Sequence, residues 1–108
     1  MKRTKNMRIA VASAGKDPAD MVSDKGGRAP YYLIFDNDKL IKSIKNPFSV
    51  GGGGAGVSVA YMLSKEEVDV VVAGDLGPNM VQALDENKIK SMSLTGMAVA
   101  DAVKRALE

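Results

Sequence analysis

The sequence contains no cysteine and no histidine among its 108 residues. Without cysteine the chain has no disulfide, no thiolate ligand for a metal and no thiol nucleophile. Without histidine it lacks the commonest general base near neutral pH and the commonest nitrogen ligand for metals. Composition therefore excludes serine–histidine catalysis and histidine-bound zinc, and we expect a protein that is not an enzyme.

Long apolar runs and a strong charge imbalance are missing as well. The basic opening, residues 1–6, leads into an apolar run, Ile9–Ala14, that is too short for a signal peptide or a membrane span. The 15 basic and 13 acidic residues give a net charge of +2, too balanced for a dedicated nucleic-acid binder. We expect a cytoplasmic protein without nucleic-acid or membrane partners, present as a monomer or a weak homodimer.

Apolar residues make up 45% of the chain, which at this length predicts one domain over residues 7–108, preceded by a basic tail or expression remnant at 1–6. Apolar, β-branched or aromatic runs predict five strands: Met7–Ser13, Tyr31–Phe35, Leu40–Ile44, Val68–Ala73 and Ile89–Leu94. Turn residues at Asp36–Lys39 predict a hairpin between the second strand and the third. The unpatterned segment Lys16–Pro30 is long for so small a domain and is expected to be functional or disordered.

Helical spacing follows Gly54, Gly77 and Thr95. Pro78 suits the first turn of the second helix, in which Met80, Val81 and Leu84 are expected to face inward, and Thr95 is the predicted N-cap of the third. The resulting order, one strand, a hairpin, then α, β, α, β, α, predicts a mixed sheet covered by helices. Right-handed crossovers place the helix starts along one edge, where open α/β sheets bind ligands.

The glycine run suggests what that edge binds. Gly51, Gly53 and Gly56 match G-x-G-x-x-G, with Asp75 downstream, but a dinucleotide fold has its glycines directly after the first parallel strand. Val57 stands where a Walker A motif needs lysine. Residues without Cβ at a helix start allow backbone N–H groups to bind phosphate or another anion. The alternative interpretation is a flexible loop whose glycines only permit a tight turn.

Charged and sulfur-containing side chains add further candidates. Arg28 and Lys25 are either donors to an anion or ordinary surface cations. A carboxylate-metal nuclease using Asp36, Asp38, Asp69 and Asp75 is disfavoured because the first strand has no acidic residue. Of the seven methionines, Met62, Met80 and Met97 suit the core, and Met21 is kept as a soft metal ligand.

Five short motifs, in order along nearly the whole chain from Met7, resemble one known family. They are Ile9–Ser13, Gly27–Tyr32, Asn46–Pro47, Gly53–Gly56 and Gly74–Asn79. On these motifs the chain resembles the dinitrogenase iron–molybdenum cofactor biosynthesis family, which includes NifX-like proteins, the carboxy-terminal domain of NifB and the molybdenum–copper orange protein. The resemblance implies a three-layer α/β/α sandwich with a ribonuclease H-like five-stranded mixed sheet.

The resemblance also implies a carrier that binds an anionic metal–sulfur cluster and delivers it during metallocofactor assembly, in processes related to nitrogen fixation. Many members have a histidine shortly before the Gly-Arg pair, where this chain has Lys25. The orange-protein mode, non-covalent capture of a molybdenum–sulfur anion, therefore fits better than ligation of iron–molybdenum cofactor. Metallocofactor assembly proteins or a P-loop ATPase are the implied partners, and a phosphate- or nucleotide-binding regulatory module is the alternative.

The candidate cofactor-binding residues share the predicted edge or the family motifs. They are Ser13, Lys25, Gly27, Arg28, Gly51, Gly52, Gly53, Gly54, Gly74, Asp75, Gly77, Asn79, Thr95 and Gly96, with Met21 as the candidate metal ligand.

Overall fold

The strands and helices follow the predicted order within residues 7–50 and 54–108, which the computed structural model describes. The strands are β1 (Arg8–Ser13), β2 (Tyr31–Asp36), β3 (Lys39–Lys45), β4 (Val70–Ala73) and β5 (Lys90–Ser93). The helices are α1 (Ala55–Lys65), α2 (Pro78–Glu86) and α3 (Val99–Leu107). None of the helices in this described part of the chain is long and apolar enough to cross a membrane.

The sheet has the strand order β3-β2-β1-β4-β5. Strand β2 is antiparallel to β1 and β3, whereas β1, β4 and β5 are parallel to one another. Because β3 then runs in the same direction as β1, these four strands end at one edge of the sheet, which we call the carboxyl edge. All three helices begin after strands that end there.

The helices cover both faces of the sheet. Ala10 and Ala12 of β1 belong to the core beneath α1 and α2, and Ile9 and Val11 belong to the core beneath α3. A strand buried on both faces needs apolar residues at every position, which explains the unbroken apolar run in β1. The structure thus confirms the predicted three-layer α/β/α sandwich with its ribonuclease H-like mixed sheet.

Two predictions about the helices are wrong. Thr95 is not an N-cap, because α3 begins at Val99 with Ala98 as its N-cap. Gly96 has a φ of +75°, so the chain turns there. The Met97 carbonyl then accepts a hydrogen bond from the Val22 N–H, and Met97 therefore pairs with the loop between β1 and β2 before α3 begins. Val81 is 39% exposed rather than inward-facing, since Met80, Ala83 and Leu84 are the residues that α2 buries.

The long segment between β1 and β2 is ordered by backbone hydrogen bonds across the carboxyl edge. The Ser23 N–H donates to the Ala12 carbonyl over 2.8 Å, and the Gly74 N–H donates to the Ser23 carbonyl over 2.9 Å. We call residues 21–26 the strap. It joins the ends of β1 and β4 and forms part of the surface on which ligands of such folds bind.

Candidate anion-binding site

Helices α1 and α2 begin close together at the carboxyl edge, and each has a glycine as its N-cap. Gly54 has a φ of +84° and Gly77 a φ of +74°, values that favour glycine. Glycine has no side chain to accept hydrogen bonds from the first-turn N–H groups, and neither described first turn carries an acidic residue. These N–H groups and the helix dipoles therefore present positive potential to a ligand.

Close backbone packing brings a third segment to the two helix starts. A Cβ atom on Gly56 of α1 would lie 2.8 Å from the Met80 Cβ of α2. A Cβ atom on Gly27 would lie 2.8 Å from the Gly56 nitrogen. The turn that contains Arg28 therefore packs directly on α1, and α1 packs directly on α2.

The three segments enclose a cleft of about 250 Å³, which we call the helix-start cleft. Its described lining residues are Gly27, Arg28, Gly54, Ala55, Gly56, Leu76, Gly77, Pro78, Asn79 and Met80. Arg28 supplies a planar, permanently charged group with several N–H donors, which suits an anion. The cleft thus combines a guanidinium with two glycine-capped helix starts.

A second cleft, of about 450 Å³, lies beside the strap and shares Arg28 with the first. We call it the strap cleft. Its described lining residues are Ala14, Met21, Val22, Ser23, Asp24, Lys25, Arg28 and Pro30. Lys25 is exposed, and Met21 is 50% exposed. This cleft offers a second cation and a thioether sulfur.

The structure brings together several of the residues singled out from the sequence. Gly27, Arg28, Gly54, Gly77 and Asn79 line the helix-start cleft, whereas Lys25 and Met21 line the strap cleft. Gly51, Gly52 and Gly53 lie outside the described residues. Ser13, Gly74, Asp75, Thr95 and Gly96 lie near the carboxyl edge but are not among the described residues that line either cleft.

The side chains of Ser13, Asp75 and Thr95, which line neither cleft, form hydrogen bonds within the protein. The Ser13 hydroxyl donates to the Gly15 carbonyl over 2.5 Å. Asp75 Oδ1 accepts from the Gly77 N–H over 3.2 Å and so supports the start of α2. Thr95 Oγ1 donates to Asp24 Oδ1 over 2.9 Å, which ties the strap to the segment after β5.

The dinucleotide-binding and nuclease interpretations of the sequence gain no geometric support, whereas the assignment of three methionines to the core does. The glycine run follows β3, an antiparallel edge strand, and β1 is followed by the strap, so the glycines do not occupy the place a dinucleotide fold requires. Over residues 7–50 and 54–108, no three acidic side chains lie together as metal ligands. Met80 is buried, and Met62 and Met97 pack against the two cores, as predicted.

Two buried side chains that support the site were not recognised from the sequence. The Tyr32 hydroxyl donates to the Gly26 carbonyl over 2.5 Å, and burial raises the pKa of this hydroxyl above its usual range, so it stays a protonated donor. Asn46, only 2% exposed, donates to the Gly27 and Ala29 carbonyls. In the sequence the Asn46–Pro47 pair is one of the family motifs and predicts the end of a strand, and neither signal identifies a buried amide.

Comparison with known proteins agrees with the fold and the motifs. A sequence model of the dinitrogenase iron–molybdenum cofactor family matches residues 7–108. The chain belongs to this family. The apo form of the orange protein from Desulfovibrio gigas is similar, with 30% identity, a TM-score of 0.88, and a match covering 97% of this chain and 90% of that one.

A second similar structure is that of a Thermotoga protein classed as NifB. It shares 29% identity over 93% of this chain and 86% of that one, with a TM-score of 0.79. Among curated proteins, none matches the chain. The family match relates the chain to proteins of the dinitrogenase iron–molybdenum cofactor.

Proposed function

We propose that the chain is a non-enzymatic carrier that binds an anionic metal–sulfur cluster at the carboxyl edge during metallocofactor assembly. The observation that carries this proposal is the meeting of Gly54, Gly77 and Arg28 in one cleft. An anion placed there receives N–H groups from two helix starts and a charge-assisted bond from the guanidinium. Family membership supports the same conclusion.

The donor set determines which cargo fits. Because the sequence has no cysteine and no histidine, the cargo must bring its own sulfide ligands and be held by charge and N–H donors. A molybdenum–sulfur anion, alone or bridged by copper, meets this requirement better than a cluster that needs an imidazole ligand. Met21 offers a thioether, which is a soft ligand for copper(I), and Lys25 adds a second positive charge.

The same absences support a carrier rather than a catalyst. The chain has no imidazole base and no thiol nucleophile. Delivery of the cargo to a metallocofactor assembly protein or a P-loop ATPase, in the cytoplasm, is part of the proposal and follows from the family resemblance.

Anaerobic loading tests the proposal. The protein is incubated with tetrathiomolybdate and copper(I), passed through gel filtration and analysed for molybdenum and copper. We expect a coloured species that elutes with the protein, and in Met21→Leu we expect less copper but unchanged molybdenum. A colourless protein after this treatment and after iron–sulfur cluster loading would contradict the proposal.

Competition separates the carrier from a phosphate- or nucleotide-binding module. A ligand that binds only the folded protein raises its melting temperature. Stabilisation by tetrathiomolybdate, with little effect of phosphate or ATP, supports the carrier. Stabilisation by ATP or phosphate without any by tetrathiomolybdate would favour the regulatory module.

A further inference from the structure

Asn46 forms hydrogen bonds with two segments of the chain, one of which lines the helix-start cleft. One segment is the turn Gly27–Ala29, which contains Arg28, and the other is the chain from residue 47 to residue 50, which leads to the glycine run. Asn46 Nδ2 donates to the Gly27 carbonyl over 3.0 Å and to the Ala29 carbonyl over 2.8 Å. These two carbonyls flank Arg28 on either side.

The other polar atoms of Asn46 form hydrogen bonds with the second segment and with Pro30, the residue before β2. Its Oδ1 accepts from the Phe48 N–H over 3.0 Å, and its backbone N–H donates to the Pro30 carbonyl over 2.9 Å. The Asn46 carbonyl accepts from the Ser49 N–H over 3.3 Å. A side-chain amide supplies two N–H donors and an acceptor oxygen from one planar group, which neither a carboxylate nor a hydroxyl reproduces.

We propose that Asn46 is a positioning residue, which fixes Arg28 relative to the start of α1 at Gly54 so that both face one anion. This inference rests on the proposed function. The Arg28 turn is held between the Asn46 amide on one side and α1 on the other, because Gly27 packs against the Gly56 nitrogen. Without the amide, two carbonyls lose their donors and the turn is free to shift, and binding groups lose much of their effect when they are misplaced by a fraction of an ångström.

The first test compares two asparagine variants. Asn46→Leu keeps the volume and adds no charge, and we expect it to raise the Kd for tetrathiomolybdate about tenfold, the effect of weakening one charge-assisted hydrogen bond. Asn87→Leu is the matched control, because Asn87 Nδ2 donates to the Ala83 carbonyl over 2.8 Å at the carboxyl end of α2, away from the cleft. We expect Asn87→Leu to lower stability and leave the Kd unchanged.

A double-mutant cycle with Arg28→Ala shows whether Asn46 acts through Arg28. If it does, Asn46→Leu has little further effect on the Kd once Arg28 is gone, although both variants still affect stability. Independent, multiplicative effects on the Kd would overturn the positioning role. An unchanged Kd in Asn46→Leu alone would overturn it as well. If Asn46→Leu does not fold, the same Kd measurements are made with Asn46→Ser, which keeps a small polar side chain.

A ligand-free measurement separates this inference from the proposed function. We expect NMR order parameters of the backbone at residues 27–29 to fall in Asn46→Leu and to stay at their wild-type values in Asn87→Leu. Unchanged order parameters in Asn46→Leu would overturn the positioning role, even where the wild-type protein binds tetrathiomolybdate. Failure of the wild-type protein to bind, with lowered order parameters in Asn46→Leu, would instead contradict the anion cargo and leave Asn46 as the residue that orders the Arg28 turn.

Discussion

Arg28 is the side chain on which the proposed binding depends most directly, since it lines both clefts. We expect Arg28→Ala to raise the Kd for tetrathiomolybdate at least tenfold, because a hydrogen bond to a charged group contributes about 1.5–3 kcal/mol. Arg28→Lys should be intermediate, as an ammonium keeps the charge but loses the planar donor geometry. Titration with tetrathiomolybdate under anaerobic conditions measures these Kd values. Arg105→Ala, at an exposed position on α3, is the control. Equal Kd values for Arg28→Ala and the wild type would remove Arg28 from the site.

Tyr32 gives a pH-dependent prediction. Below about pH 10 its hydroxyl is protonated in the folded and unfolded chain alike, and Tyr32→Phe should lower the free energy of unfolding by about 1–2 kcal/mol, because the Gly26 carbonyl loses this donor. Burial raises the pKa of Tyr32 in the folded protein. Above about pH 10 the unfolded chain therefore releases a proton that the folded protein retains, and the contribution of Tyr32 to stability falls by up to about 1.4 kcal/mol per pH unit.

Denaturant unfolding of the wild type and of Tyr32→Phe at several pH values measures this effect. The difference between the two proteins should narrow as the pH rises above about 10, since the other tyrosines are common to both. A constant difference across that range would show that Tyr32 is not buried in the folded state as described.

Among individual residues, the sequence identifies those whose chemistry is distinctive, but not those whose role depends on residues distant in the chain. Arg28, Gly54 and Gly77 are recognisable because glycines and an arginine stand beside predicted elements. Asn46 is not, because the two carbonyls to which its Nδ2 donates lie 17 and 19 residues away in the chain. Only the fold brings the amide to those carbonyls.

At the scale of elements, the three helix starts are not equivalent. The Val99 and Ala100 N–H groups of α3 donate to the Asp20 and Pro18 carbonyls over 2.8 and 3.0 Å. The loop before the strap therefore satisfies the start of α3, whereas α1 and α2 begin at glycines in a cleft. The periodicity of the sequence predicts all three helices but does not distinguish their ends, because the fold of residues 14–20 decides which N–H groups are satisfied.

The two N-cap glycines should respond differently to substitution. Gly77 combines a φ of +74° with a ψ of 152°, a region almost closed to other residues, whereas Gly54 adopts the left-handed helical region. We expect Gly77→Ala to cost about 1–3 kcal/mol of stability and Gly54→Ala about 1–2 kcal/mol. Denaturant unfolding measures both, and a larger cost at Gly54 than at Gly77 would contradict the backbone geometry described.

At the scale of the whole molecule, the layer architecture follows from the sequence because apolar periodicity and turn residues agree along the chain. The long segment 16–30 was predicted only as a loop, functional or disordered. Its order comes from backbone hydrogen bonds to the ends of β1 and β4, which leave no pattern in side-chain hydrophobicity. With a net charge of only +2, attraction for an anion must come from the local arrangement at the carboxyl edge rather than from the overall field.

Metal and sulfide analysis of the protein purified without oxygen from its native host tests the carrier function most directly. We expect molybdenum, with copper or iron, together with acid-labile sulfide, and we expect all of them to be lost in Arg28→Ala purified in the same way. Wild-type protein free of molybdenum, iron and sulfide, from cells supplied with molybdate, would contradict the proposal that this chain carries a metal–sulfur cluster.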